Sequence, residues 1–500
     1  MGIRHCFCYE RYGGGECCRA RLSCGTYAPG TDCGSIEAIE TDATIAAVSG
    51  GLPWGQPRGA DRASQVRGRR EQRWHTRLQK KLGGGGSERK GLKAFLLTIG
   101  PAVITVFSWL GAGDIVNAAV SGANYGYALM WVLVVANLIR FVIVNVMTRF
   151  ELMNAQKISM VAAFARVTKV FPVLLIIASL VMGNMTIGYI LKGAAQCLGW
   201  FLGIGSEVVW AAVLAITMFF ILGRSVMSKV EDVFKVLLAV VVAILVFLAI
   251  YVQPNPAEIV SGVILFQIPS NEGAYDVMLV ILGLVGAVAG SLGNLFHGVN
   301  LAEGGMRDPS QMKAQTKSLL FSVLMGAVLV LCVWIVGADI LRPNDIQVES
   351  LQDIGMALEM YLGVVGAKIF YLGIFGALFS SACGCAVGFS KLAIANLNEL
   401  LPDRKGRTEK IQQDKIYPVL LALFLLTAYV WSLPGTPSQV FMTVFVNALN
   451  VVIVPAIAIG VLLVSNNKKF MGEHTNNIFE NLVLGATTVL AVVSVVQTFL

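Results

Sequence analysis

The sequence predicts an all-α membrane protein of about eleven transmembrane helices, built as two inverted repeats of five with helices one and six broken. Three observations predict it: an apolar excess that no water-facing surface could absorb, apolar segments recurring at bilayer length, and glycine clusters with polar partners at matching depth in the first and sixth segments.

The apolar excess is the broadest of the three. Of 500 residues, 56% are hydrophobic and 14% charged, and the mean hydropathy is +0.71. A soluble fold of this size has nowhere to put so much apolar side chain. Lipid is therefore the solvent of most of the chain, because a hydrocarbon core ~30 Å thick calls for helices of roughly 20 apolar residues. The formal charge of +8 suggests nucleic acid until it is located. Up to Lys93 there are 16 Lys/Arg against 9 Asp/Glu, which leaves 22 against 21 for the rest. The basic bias belongs to a tail and marks no nucleic-acid partner.

Residues 1–90 are rich in Gly, Arg and Cys, show no apolar period and end near Gly83-Gly84-Gly85-Gly86-Ser87. They lack a signal peptide's apolar run, and are expected to be a disordered tail or an extension from a mis-assigned start codon. Cys6, Cys8, Cys17, Cys18, Cys24 and Cys33, with His5 and His75, fit no paired zinc-ligand spacing. Residues 91–500 form the transmembrane domain, where Cys197, Cys332, Cys383 and Cys385 act as small buried hydrophobes.

The spans are expected at residues 95–116, 126–147, 171–196, 207–223, 230–252, 276–299, 317–341, 365–390, 416–433, 438–464 and 480–500. Loop charge sets their direction. Arg89, Lys90 and Lys93 precede the first span; Arg149, Lys157, Arg166 and Lys169 follow the second; Arg224 and Lys229 follow the fourth. Arg307, Lys313 and Lys317 follow the sixth, Arg404, Lys405, Arg407 and Lys410 the eighth, and Lys468 and Lys469 the tenth. Alternate loops carry acids instead, such as Glu258, Glu272, Asp345, Glu349 and Asp353. By the positive-inside rule the amino end is cytoplasmic and Leu500 lies outside a plasma (inner) membrane.

The first span is interrupted by Gly111-Ala112-Gly113-Asp114 and the sixth by Gly290-Ser291-Leu292-Gly293-Asn294. Glycines beside a carboxylate or amide have little reason to sit in hydrocarbon unless the helix unwinds there. Unwinding frees carbonyls that lipid cannot satisfy, so the break must line a protected cavity where those carbonyls and nearby oxygens can hold a cation. The bland alternative is that the glycines only let helices pack closely.

Asp114 is the only acid in the first span and needs a cation, a proton or a basic partner. A metal-ligand role is favoured over a structural ion pair with Arg140 of span two or Lys192 of span three, the latter also able to snorkel. His297, one turn beyond Asn294, is a candidate proton relay or a packing residue. Asn447 and Asn450, one turn apart on span ten, are candidate gate residues or supports behind the ligands, as is Asn117; amides equally glue helices together.

At these residues the chain resembles the Nramp family of divalent metal transporters. The most specific local match is Gly122-Ala123-Asn124-Tyr125-Gly126-Tyr127-Ala128-Leu129-Met130-Trp131, similar to that family's entry to its second helix, and Ser380-Ser381 stand in a similar small-residue setting on span eight. The resemblance implies a LeuT-like fold, metal held between helices one and six, and proton-coupled uptake of manganese or iron. It also implies an unwound carbonyl near Val288 as a ligand. The motifs depart from the family's. Its Asp-Pro-Gly-Asn is here Gly111-Ala112-Gly113-Asp114, and its Met-Pro-His-Asn is Ser291-Leu292-Gly293-Asn294. Loss of the thioether leaves an oxygen first layer and weakens discrimination against magnesium or calcium. The third span lacks the family's acids, with Asn184 the nearest polar residue.

The expected ligands are thus Asp114, backbone near Gly111 and Val288, Ser291 and Asn294, for a transported Mn2+, Fe2+ or Mg2+ with no resident cofactor. The rivals are a symporter of a small organic solute such as an amino acid, and a non-transporting receptor on the same fold. An acid at the break repels an organic carboxylate. A membrane enzyme is disfavoured, because no nucleophile and base pair or His/Glu metal motif stands in the helices.

Overall fold

The computed structural model describes residues 112–223, 240, 242–271, 273–303, 308–404 and 411–499. The expected tail at 1–90 with its cysteines, most of the first span including Gly111, the start of the fifth span, and the loop residues Arg224, Lys229, Glu272, Arg307, Lys405, Arg407 and Lys410 lie outside them.

Helices account for most of the described chain. The first span's described part is α1 (Ala112–Tyr125), followed by α2 (Met130–Met153), the short α3 (Met160–Val167), α4 (Val170–Leu202) and α5 (Glu207–Gly223). Then come α6 (Val242–Tyr251) and α7 (Pro256–Ile264), bent from one another by 108°. The second half holds α8 (Val277–Val288), α9 (Gly293–Glu303), α10 (Met312–Val336), α11 (Leu351–Leu400), α12 (Ile416–Tyr429), α13 (Gln439–Asn450), α14 (Val454–Ser465) and α15 (Ile478–Phe499).

Among the described residues six helical spans are long and apolar enough to cross a bilayer. Three shorter apolar helices and the described parts of the first and fifth spans stand at the other expected positions. Several boundaries shift, most of all those of the first and eighth spans. The first span runs nine residues past its expected end, to Tyr125, where Gly126 at φ +55° donates its N–H to Gly122 O at 2.9 Å and stops the helix. The eighth is continuous with a preceding helix from Leu351, and Gly363 at φ +67° and ψ −178° marks the kink between them. On α4, Val173, Ile177 and Val181 are 45–54% exposed at four-residue spacing, an apolar stripe turned to lipid.

The inverted-repeat arrangement shows in which helices touch. Counterparts five spans apart pack together: α1 on α8, α2 on α10, and α4 on α11. Close approach at these seams is set by glycine. A Cβ at Gly122 would lie 2.4 Å from Trp334 O, and one at Gly337 would lie 2.7 Å from Ala119 O. At the C-terminal end of the second span, Arg149 grips Glu480 of α15 at 2.8 and 2.9 Å and Asn476 at 2.6 Å, docking the last helix.

The tightest seam joins α8 to α13, where a Cβ at Gly286 would lie 1.7 Å from Asn447 O. Gly286→Ala should therefore destabilise the protein by at least about 3 kcal/mol, the upper end for overpacking. Gly384→Ala, whose Cβ meets nothing within 4 Å, should not. Melting of both variants in detergent checks this, and an unshifted Gly286→Ala would show that the seam is loose.

Candidate functional site

The sixth span is interrupted where expected. Helix α8 ends at Val288 and α9 begins at Gly293, with four non-helical residues between. The break is stitched by its own side chains. Asn294 Nδ2 donates to Val288 O at 3.2 Å and Ala289 O at 3.1 Å, and Gly293 N–H donates to Ser291 Oγ at 3.2 Å. Asn294 thus satisfies the carbonyls that unwinding releases, which hydrocarbon would leave bare. In the first span helical structure is already present at Ala112, and Gly113 and Asp114 lie in the first turn of α1.

Between these elements lies a cavity of about 70 Å3. Asp114 and Gly113 line it from α1, Arg140 from α2, Thr186 and Tyr189 from α4, Ser291 from the break, Ser381 and Cys385 from α11, and Asn447 and Asn450 from α13. Asp114 is 5% exposed. Gly113 is small because its neighbours are close: a Cβ there would lie 2.6 Å from Asn447 Nδ2 and 3.2 Å from the Tyr189 hydroxyl. Below Asn450 a 3-10 turn, Val451–Ile453, separates α13 from α14, so span ten is also irregular at this depth.

The expected residues divide into those the structure gathers and those it does not. Asp114, Ser291, Asn447 and Asn450 meet at the cavity. Val288 and Asn294 stand behind it, the amide bridging carbonyls. Asn117, fully buried, donates to Gly113 O at 2.8 Å and supports the first turn of α1 from behind. His297 lies on α9 outside the cavity lining, and Gly111 lies outside the described residues.

Of the two basic partners weighed for Asp114, Lys192 is engaged elsewhere. It reaches Glu207 Oε1 at 3.5 Å and donates to Thr436 Oγ1 and Pro437 O at 2.9 Å. Arg140 shares the cavity with Asp114, which acts on it electrostatically, and its Nη2 donates to Ala287 O at 3.2 Å. Asn184 ties α4 to the end of α12, accepting from Trp431 Nε1 at 3.0 Å and donating to Thr427. Thr186, Tyr189, Ser381 and Cys385 were not singled out as lining. Their spacing carried a faint signal, since residues three or four apart share a helix face.

The match at 122–131 forms a junction at one end of the bundle. Tyr125 donates to Tyr275 O at 2.5 Å, Tyr127 to Asp339 Oδ2 at 2.6 Å, Trp131 to Gln267 O at 2.9 Å, and Trp334 Nε1 to Gly126 O at 2.7 Å. These bonds tie α1 to α10 and to the segment leading into α8.

An all-helical, multi-span bundle with counterpart helices packed in pairs and an interrupted helix at a buried polar cavity defines a membrane protein of the LeuT-like fold. Residues 102–500 match the Nramp family, described as natural resistance-associated macrophage protein-like, and the chain belongs to that family. It is 21% identical over 425 residues to the divalent metal cation transporter MntH of Staphylococcus saprophyticus, covering 80% of this chain and 92% of that one. With MntH of Latilactobacillus sakei it is 22% identical over 237 residues, 46% of this chain and half the length of that relative. A crystal structure of a variant of the Eremococcus coleocola manganese transporter superposes with a TM-score of 0.63 at 15% identity, covering 82% of this chain and 88% of that one. The family is one of transporters, not enzymes.

Asn294→Ala should leave two break carbonyls without their donor and cost about 1–3 kcal/mol. Asn294→Asp, which sets a carboxylate against those carbonyls, should cost more. Thermal melting of the pair gives the order, and Asp above Ala would exclude the stitching role.

Proposed function

We propose that the chain carries a divalent metal cation across the bilayer by alternating access, with Asp114 as the anionic ligand. The observation that supports this is one buried cavity, at the interrupted sixth span, where that carboxylate meets the oxygens of Ser291, Asn447 and Asn450. Hard and borderline divalent ions take such oxygen ligands, and the one soft donor in the lining is Cys385. Magnesium therefore joins manganese and iron as cargo. The amino end is cytoplasmic in this scheme, and the junction around Tyr125 and Tyr127 closes the outer side.

Uptake is proposed to run without a coupled proton, because α4 contains no acid and His297 stands off the cavity. One observation favours a second function. Asp114 and Arg140 together could hold the ammonium and carboxylate of a small amino acid, and such a symporter would fail every metal assay.

Protein in liposomes should take up Mn2+, with Mg2+ competing within about tenfold because no thioether selects against it. Asp114→Ala should abolish uptake while expression stays intact. Uptake at the wild-type level in that variant would remove the residue from the site. His297→Ala should keep its uptake, and an internal pH dye should stay flat while metal enters; acidification in step with metal would establish proton coupling.

A further inference from the structure

Among the described residues two charged side chains line the cavity, and their charges cancel. Asp114 enters from α1 and Arg140 from α2, and the rest of the lining is formally neutral. The guanidinium is anchored by Ala287 O, in the last turn of α8. Arg140 therefore bridges the two halves of the site, one end on the last turn of α8 just before the break and its field on the carboxylate of span one. At this depth charges are weakly screened, so a fixed guanidinium beside the only anion strongly opposes a divalent ion.

A carrier must also return empty. A bare carboxylate at membrane depth is costly, and some cation has to stand beside it during that step. In many carriers that partner arrives from solution. Here a partner is covalently attached.

We infer that Arg140 is an intramolecular competitor for the transported cation: it neutralises Asp114 in the empty carrier and withdraws from it when a divalent ion binds. This rests on Asp114 being the cation ligand, as proposed above. The competitor sets a ceiling on affinity and gives the empty carrier a neutral site. Withdrawal needs only that the guanidinium rotate off the carboxylate, because Ala287 O can keep one of its five N–H donors.

The test is Mn2+ binding to the purified full chain, read from the loss of free-Mn2+ paramagnetic resonance. Arg140→Met keeps the length and removes the charge, and should bind Mn2+ at least ~10-fold more tightly than wild type, a gain of one decade in Kd. Asp114→Asn should bind none. A static ion pair would give a Met variant with unchanged or weaker affinity, and that outcome overturns the inference while leaving metal transport standing. If neither wild type nor any variant binds Mn2+ or Mg2+, the function proposed above falls and the inference falls with it.

Melting temperature without metal gives an independent readout should Arg140→Met prove fragile. Each single change strands a buried charge, so Asp114→Asn and Arg140→Met should both lower the melting point, and the double variant should recover most of the loss. Additive losses in the double variant would show that the two side chains do not compensate one another, and would overturn the inference.

Discussion

The structure turns on a carboxylate that cannot be left alone. Asp114 is buried in the first turn of α1 at the level of the hydrocarbon, where an isolated charge is many times more costly than at a protein surface. Its surroundings answer that cost. Arg140 supplies opposite charge, Ser291, Asn447 and Asn450 supply dipoles, and the helices that carry them come together only because Gly113 and Gly286 leave room. A site that is neutral as it stands can be crossed by the moving parts of a carrier without dragging a bare charge through lipid.

The same constraint explains the break in span six. Backbone can leave the helix inside a membrane only where something else satisfies it. Asn294 does this with one amide on two carbonyls, and Ser291 does it from the other side by accepting from Gly293 N–H. The interruption is thereby a stable feature of the fold. Ser291 remains on the cavity wall, while the amide that the motif suggested as a ligand is spent on holding the break.

Much of the fold was legible because lipid imposes a simple rule: length and apolarity read directly as spans, and the polar glycine cluster at 290–294 read as a break, whereas Gly113 and Asp114 lie in helix. The boundary at 116 failed because Asp114 and Asn117 look like the end of an apolar run, whereas they are buried polar residues inside a helix that continues to Tyr125. Of the site, Asp114, Ser291, Asn447 and Asn450 were legible, as a carboxylate and polar side chains set in apolar spans. Which way an amide points depends on helix rotation, so Asn294 and Asn447 could not be told apart as stitch and lining. Tyr189, Thr186, Ser381 and Cys385 carry no formal charge and sit in strongly apolar helices, where a hydroxyl or thiol leaves almost no mark. Arg140 was visible as a partner for Asp114, and it ranked below the ligand role because a sequence treats the two as exclusive.

They need not be exclusive. A buried ion pair is weak support for stability, since the desolvation of two ions consumes most of their attraction, and an apolar pair often does as well. Two opposite charges lining one buried cavity suit the exchange inferred above, in which the carboxylate is permanent and its partner can be replaced by something of higher charge. Arg140 is tethered on α2, which packs against both α8 and α9, on either side of the break. Any movement of the sixth span relative to the second would therefore pull on the guanidinium at Ala287 O, and so change the field that Arg140 exerts on the Asp114 carboxylate.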